Sequence, residues 1–235
     1  MLACGKNVLL MTEPKKIKKV YLSKTRKDET VLNYLKQNKI HYILTEPTIL
    51  NKMTSENHQG IVIEIEDYIY ASLESAFNED FVLILDHLED PHNLGAIIRS
   101  AEAAGIKSII IPKDRSVSVN DTVIKISAGT INNVKIIRVT NLVDAIKKLQ
   151  KNNFFIYGAD MVGEDLRTYN FDGKKALIIG NEGKGISNVV AKNCDVMIKI
   201  PMLGEVNSLN ASVAAGILVF KMGGLSWSIT KKKTC

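Results

Sequence analysis

From residue 81 onward the chain repeats one pattern, a short apolar run followed by a stretch with helical spacing. The runs are 81–85 (FVLIL), 108–111 (SIII), 134–139 (VKIIRV), 154–159 (FFIYGA), 176–179 (ALII) and 196–200 (VMIKI). Helical spacing falls near 93–104, 120–128, 141–152 and 186–193, and a last stretch covers 208–222. This alternation predicts a mostly parallel sheet with helices on both faces. In such sheets ligands collect beyond the carboxyl ends of the strands, so the turns after the apolar runs are where chemistry is to be sought.

The first 70 residues read differently. Lys19-Val20-Tyr21-Leu22, His41-Tyr42-Ile43-Leu44 and Ile61-Val62-Ile63-Glu64-Ile65 are strand candidates, and residues 28–38 have helical spacing through Val31, Leu32 and Leu35. Residues 71–80 (ASLESAFNED) are polar and weakly patterned. The expected organisation is a small α/β unit over 1–70, a linker over 71–80 and a larger α/β domain over 81–235.

Composition narrows the class of protein. With 46% hydrophobic and 24% charged residues, the chain has the balance of an ordinary globular protein. Its net charge of +6 favours a polyanionic partner. Lys15, Lys16, Lys18, Lys19, Lys24, Arg26 and Lys27 crowd together, either as a solvated loop or as a contact to a phosphate backbone. The three cysteines, Cys4, Cys194 and Cys235, form no CxxC and no His/Cys cluster, which argues against a disulfide framework or a structural metal. Leu2-Ala3-Cys4-Gly5 has no apolar segment before it, so no targeting signal is read, and no run reaches membrane-spanning length. A cytoplasmic protein without a membrane partner is expected.

Three turns carry the chemistry. Asn93-Leu94-Gly95-Ala96-Ile97-Ile98-Arg99 follows the first run. Asn93 is placed as a helix N-cap, and Gly95 leaves room one turn before Arg99. Alone, this is a capped helix with a surface arginine. Gly180-Asn181-Glu182-Gly183-Lys184-Gly185 follows the fifth run, where Gly180 and Gly183 permit positive φ and close approach. It fits neither a P-loop nor a G-x-G-x-x-G turn, which leaves a nucleotide-binding oxidoreductase unsupported. Ile200-Pro201 leads through a polar loop to Asn207-Ser208-Leu209-Asn210-Ala211-Ser212, the expected start of the last helix. A cap alone needs one of those polar residues, not four.

Taken in order and spacing, DPHNLGAIIRSAEAAG, ISAGT, IIGNEGKGIS and IPMLGEVNSLNASVAAGI resemble the SpoU (TrmH) branch of the SPOUT RNA 2′-O-methyltransferases over residues 81–222. Gly5-Lys6-Asn7 and His58-Gln59-Gly60 resemble the ribosomal-protein-like RNA-binding domain of RlmB-type enzymes, which act on a large-subunit rRNA guanosine. The resemblance implies a parallel-sheet SPOUT catalytic domain with a C-terminal trefoil knot, working as a homodimer on RNA, expected to be 23S rRNA. It implies S-adenosyl-L-methionine as methyl donor, bound at Gly180, Ile200 and Leu209 with Ser127, Ala128, Gly129 and Thr130 lining the pocket, and no metal. Arg99 takes the central catalytic position. The resemblance sometimes makes this arginine the base itself; a guanidinium with pKa above about 12 is a poor base, so Arg99 reads better as a phosphate clamp and stabiliser of alkoxide charge, with the base role left open to its local environment. Asn93 would order the helix start, Glu182 would orient Arg99 or relay the proton, and Ser208 and Asn210 would bind polar atoms of substrate or donor.

Two other readings stand beside this one: a tRNA or rRNA adenosine methyltransferase of the same fold, and a catalytically silent RNA-binding or ribosome-assembly protein. Retention of Asn93, Arg99, Glu182, Ser208 and Asn210 together speaks against silence.

Overall fold

The computed structural model describes residues 2–26, 28–54, 57–206 and 208–223. Asn207, Lys27, Cys235 and the terminal Lys231-Lys232-Lys233 lie outside the described residues.

The first unit runs β1 (Leu2–Cys4), α1 (Lys6–Met11), β2 (Ile17–Ser23), α2 (Glu29–Gln37), β3 (Tyr42–Thr45), α3 (Pro47–Met53) and β4 (Ile61–Ile65). Its sheet order is β1-β4-β2-β3, with β2 and β3 parallel and the other pairs antiparallel. Strand alternation turns Ala3, Val20, Leu22, Ile61 and Ile63 towards α1 and α2, where Val8, Leu9, Val31 and Leu35 complete a core. Cys4 and Val62 face the other way, against Leu50 of α3. The sequence pattern did not announce β1, α1 or α3, which are too short to show a period.

Asp28 caps α2 by accepting from Val31 N at 3.2 Å. Its carboxylate also holds Arg26 at 3.0 Å and Lys6 at 3.1 Å. Those two cations, Arg26 above all, keep its pKa down at about 2.

The second unit runs β5 (Phe81–Leu85), α4 (Pro91–Ala103), β6 (Ser108–Pro112), α5 (Asp121–Ile126), β7 (Lys135–Val139), α6 (Leu142–Lys151), β8 (Phe155–Asp165), β9 (Lys175–Ile179), α7 (Asn188–Ala191), β10 (Val196–Lys199) and α8 (Ala211–Met222). All six strands are parallel, in the order β10-β8-β9-β5-β6-β7. Both faces are covered, as the unbroken apolar strands demand. One core packs β5, β6 and β9 against α4, α5 and α8, and the other packs the opposite face against α6 and α7. Helix α6 shows how the sequence sets this up: Asn141 caps it, and Leu142, Ala145, Ile146 and Leu149 form its buried stripe.

Two details of α4 differ from expectation. Asp90, not Asn93, is the N-cap; its side chain accepts from His92 N at 2.8 Å, and Pro91 fills the first helical position. Asn93 therefore lies inside the helix with its amide free for another partner. Gly95 makes room for α5 rather than for Arg99, since a Cβ there would sit 2.7 Å from Ile126 Cβ.

Residues 68–79 lie along the second unit. Ala71 N donates to Ile136 O at 2.9 Å, Val119 N donates to the Tyr70 hydroxyl at 3.0 Å, and Ala76 is fully buried. Ile124 of α5 packs against the cores of both units.

Gly95→Ala is expected to destabilise the protein by about 1–3 kcal/mol through overpacking, even though alanine is the better helix former by about 1 kcal/mol; a lowered urea midpoint checks this. Because the Asp28 pKa is depressed, its stabilisation is complete above the unfolded value of about 3.9 and disappears as pH falls towards 2. Asp28→Asn should remove that part of the acid-side loss in a pH series of thermal unfolding.

Candidate active site

A cleft of about 340 Å³ opens at the carboxyl ends of β8, β9 and β10. Its apolar wall is Ile179, Ile198, Ile200, Leu209 and Leu218, and its polar rim is the turn 180–185 with Asp160 and Ser208. This is the edge where a doubly wound sheet gathers its ligand.

The turn after β9 is stitched by one side chain. Asn181 and Gly185 exchange backbone hydrogen bonds at 3.0 and 2.9 Å. Asn181 Oδ1 accepts from Gly183 N and Lys184 N at 3.0 and 3.2 Å, while Nδ2 donates to His87 O at 2.8 Å. Gly180 is required for proximity, since a Cβ would fall 2.1 Å from the Gly185 carbonyl carbon. The positive φ expected at Gly180 and Gly183 occurs instead at Gly185, with φ 67°. Beneath the turn, buried Asp86 accepts from Ser187 N at 2.7 Å and shares a 2.6 Å hydrogen bond with His87. Cys194 does not line the cleft; burial first, then Asp195 and Asp86, push its thiol up to about 12.

The first and second motifs meet directly. Buried Asn93 donates from Nδ2 to Glu182 Oε1 at 2.8 Å. Glu182 thus engages Asn93; of its two expected roles, orienting Arg99 or relaying a proton, the first has no contact within this chain among the described residues. Arg99 is exposed on α4, its guanidinium makes no hydrogen bond or ion pair among the described residues, and it is not among those lining the cleft. In the third motif, Asn210 is the N-cap of α8, which begins at Ala211 rather than at Ser208; its Oδ1 accepts from Ser212 N at 2.9 Å and from Ser212 Oγ at 2.6 Å. Ser208 and Leu209 line the cleft.

Gly180, Glu182, Ile200, Ser208 and Leu209 therefore come together in one cleft, with Asn93 bonded to its edge. Ser127, Ala128, Gly129 and Thr130 do not join them. Ser127 is buried and donates to Ile124 O at 2.9 Å, and Thr130 donates to Ser127 O at 2.6 Å. Ala128 and Gly129 turn with φ of 50° and 86°. Gly129 borders a separate cavity of about 300 Å³ between the two units, beside Met11, Tyr68 and Ile131. A turn with glycine reads alike from sequence whether it faces a ligand or a neighbouring unit, and here it faces the unit.

Sequence reasoning missed Ala159, Asp160 and Met161, which line the cleft from the middle of β8. There the pairing of β8 with β10 slips, from Met197 opposite Gly158 to Ile198 opposite Glu164, which leaves residues 159–163 of β8 without register partners on β10. Gly158 and Gly163 mark this slip in the sequence: a Cβ on either would fall within 2.6 Å of Met197.

The cleft lies where a doubly wound parallel sheet holds its ligand, and the chain's likeness to known families says what kind of protein this is. Residues 80–220 match the SpoU rRNA Methylase family, and residues 7–71 match the RNA 2′-O ribose methyltransferase substrate-binding family. The chain belongs to the SpoU family and is an RNA 2′-O-methyltransferase. It is 37% identical over 231 residues to YacO of Bacillus subtilis (strain 168), named for the TrmH family of tRNA/rRNA methyltransferases, covering 93% of each chain. It is 40% identical over 217 residues to a Staphylococcus aureus (strain COL) protein named for the same family, covering 88% of each. In fold it is similar to the SpoU methyltransferase AviRb from Streptomyces viridochromogenes, solved with the cofactor AdoMet, at a TM-score of 0.80 and 23% identity over 95% of this chain and 89% of that one.

Asn181→Ala removes the brace of the turn, and amide exchange at Gly183 and Lys184 should then quicken by about tenfold, the loss of roughly one net hydrogen bond, with the fold otherwise retained by circular dichroism.

Proposed function

We propose that this chain transfers a methyl group from S-adenosyl-L-methionine to the 2′-hydroxyl of a guanosine in 23S rRNA. The observation that carries the reading is the Asn93–Glu182 hydrogen bond, which fastens the helix of the first motif to the cleft walled by the second and third. The cleft suits the donor in kind: an apolar wall from Ile179 to Leu218 for an adenine ring, and backbone polar groups of 180–185 for its heteroatoms. When bound, the donor supplies an electrophilic sulfonium methyl group. The protein's share is then to align a ribose oxygen and accept one proton. Among the described residues no group of three His, Cys, Asp or Glu is arranged to hold a metal, and none is needed for this alignment.

Glu182, fixed by Asn93, is the carboxylate at the cleft and takes the role of proton acceptor or relay. Ser208 offers a hydroxyl to the substrate, and Asn210, with its oxygen used as a cap, offers its amide N–H. Arg99 clamps the adjoining phosphate and stabilises developing alkoxide charge. Its exposure and its absence from the cleft of its own chain favour supply across a homodimer. Helix α8 supports that: it is mostly apolar, yet Val213 and Ile217 stay 50% and 42% exposed, and Leu203 and Val206 of the preceding loop are exposed as well. The trefoil knot belongs to the same proposal, supported by the strand order β10-β8-β9, which makes the chain double back across β8 on its way from β9. No helix among the described residues is long and apolar enough to cross a membrane, in keeping with a cytoplasmic enzyme. The match of residues 7–71 to a substrate-binding domain favours RNA held by both units, and large-subunit rRNA over tRNA is our reading of Gly5-Lys6-Asn7 and His58-Gln59-Gly60.

Unmodified rRNA and tRNA pools incubated with labelled donor, followed by mapping of ribose-methylated positions, test the target: a 23S rRNA guanosine is expected, and a tRNA position would replace that choice. Arg99→Ala should lower kcat by about a hundredfold or more while leaving donor affinity within twofold; lost donor affinity would show that Arg99 belongs to the donor site.

A further inference from the structure

One side chain in the cleft is used by none of these steps. Lys184 stands at the rim, exposed, and is the only Lys or Arg among the residues lining the cleft. Its ammonium makes no hydrogen bond or ion pair among the described residues. The two carboxylates of the lining are already directed elsewhere, Glu182 to Asn93 Nδ2 at 2.8 Å and Asp160 to Val162 N at 3.0 Å. The backbone beneath Lys184 is braced, because its own N–H and that of Gly183 are held by Asn181 Oδ1. A fixed turn thus presents an unpaired cation at the mouth of a site whose other charges, Asp160 and Glu182, are negative.

That arrangement has a consequence for a polyanionic substrate. A strand bringing a ribose to the cleft must bring its phosphates close to both carboxylates, and each repels it. An unpaired cation on the rim offsets the repulsion where the strand enters. A lysine suits the task, since its ammonium is a point charge that takes a phosphate from several directions, whereas arginine fixes one orientation.

We propose that Lys184 is a substrate-positioning residue that binds a phosphate of the RNA strand at the mouth of the cleft. This rests on the RNA methyl-transfer reading, and it concerns a different residue and contact from Arg99. The donor's carboxylate is the other anion within the same chemistry, and the test separates the two.

The test compares wild type, Lys184→Ala, Lys184→Glu, Lys184→Arg and, as control, Lys147→Ala on the outer face of α6. Binding of unmodified 23S rRNA is measured over a salt series, with KM for RNA wherever transfer is seen and donor affinity by calorimetry. For Lys184→Ala, RNA affinity should fall about fivefold, in line with one exposed charged contact. The slope of log affinity against log salt should become shallower by about 0.7, one single-strand phosphate. Lys184→Glu should lose more, Lys184→Arg should recover to within about twofold, and Lys147→Ala should match wild type. Donor affinity should stay constant throughout. An unchanged affinity and salt slope in Lys184→Ala would overturn the proposal, as would a fall in donor affinity, which would assign Lys184 to the donor's carboxylate. A wild type that binds RNA with this Lys184 dependence yet transfers no methyl group would sink the functional reading while leaving the contact standing.

Discussion

The active edge of this protein depends on the primary amide of Asn181. One oxygen and one nitrogen close the 180–185 turn on itself and tie it to the backbone after β5. The amide braces a turn that the Asn181–Gly185 backbone pair also closes, with Gly180 lying against Gly185 and Glu182 reaching Asn93. The group works because an amide carries a donor and an acceptor on one rigid plane, so it can satisfy inward-facing N–H groups and an outward carbonyl together. Aspartate would keep the first function and lose the second.

Much of the catalytic fold was legible because its strands are buried on both faces and so are apolar without interruption. FVLIL and ALII need no partner to be recognised, and their C-terminal turns had to face a ligand. The first unit was less legible. Leu2–Cys4 and Lys6–Met11 are three and six residues long, below the length at which periodicity separates helix from strand.

Within the site, the residue types were right more often than their roles. Asn93 carries the favoured identity for a cap, yet Asp90 lies three residues earlier before a proline and wins the position, freeing Asn93 to cross to Glu182. Gly95 and Gly129 signal close approach without saying to what; one receives Ile126 and the other borders Met11. Ala159, Asp160 and Met161 reach the cleft only because β10 slips past β8, and a register shift leaves little trace in composition.

The two units share more than a connecting segment. Ile124 belongs to both cores, and Lys16 reaches across to Asn132 at 3.4 Å. A side chain counted in two cores makes the RNA-gathering unit a poor candidate for simple exchange. Replacing it with another domain would leave Ile124 packed against only one of its two cores and the Ala128–Gly129 turn without Met11 beside it. New target specificity in such a chain is therefore acquired more readily by altering loops on the existing unit than by grafting a different one.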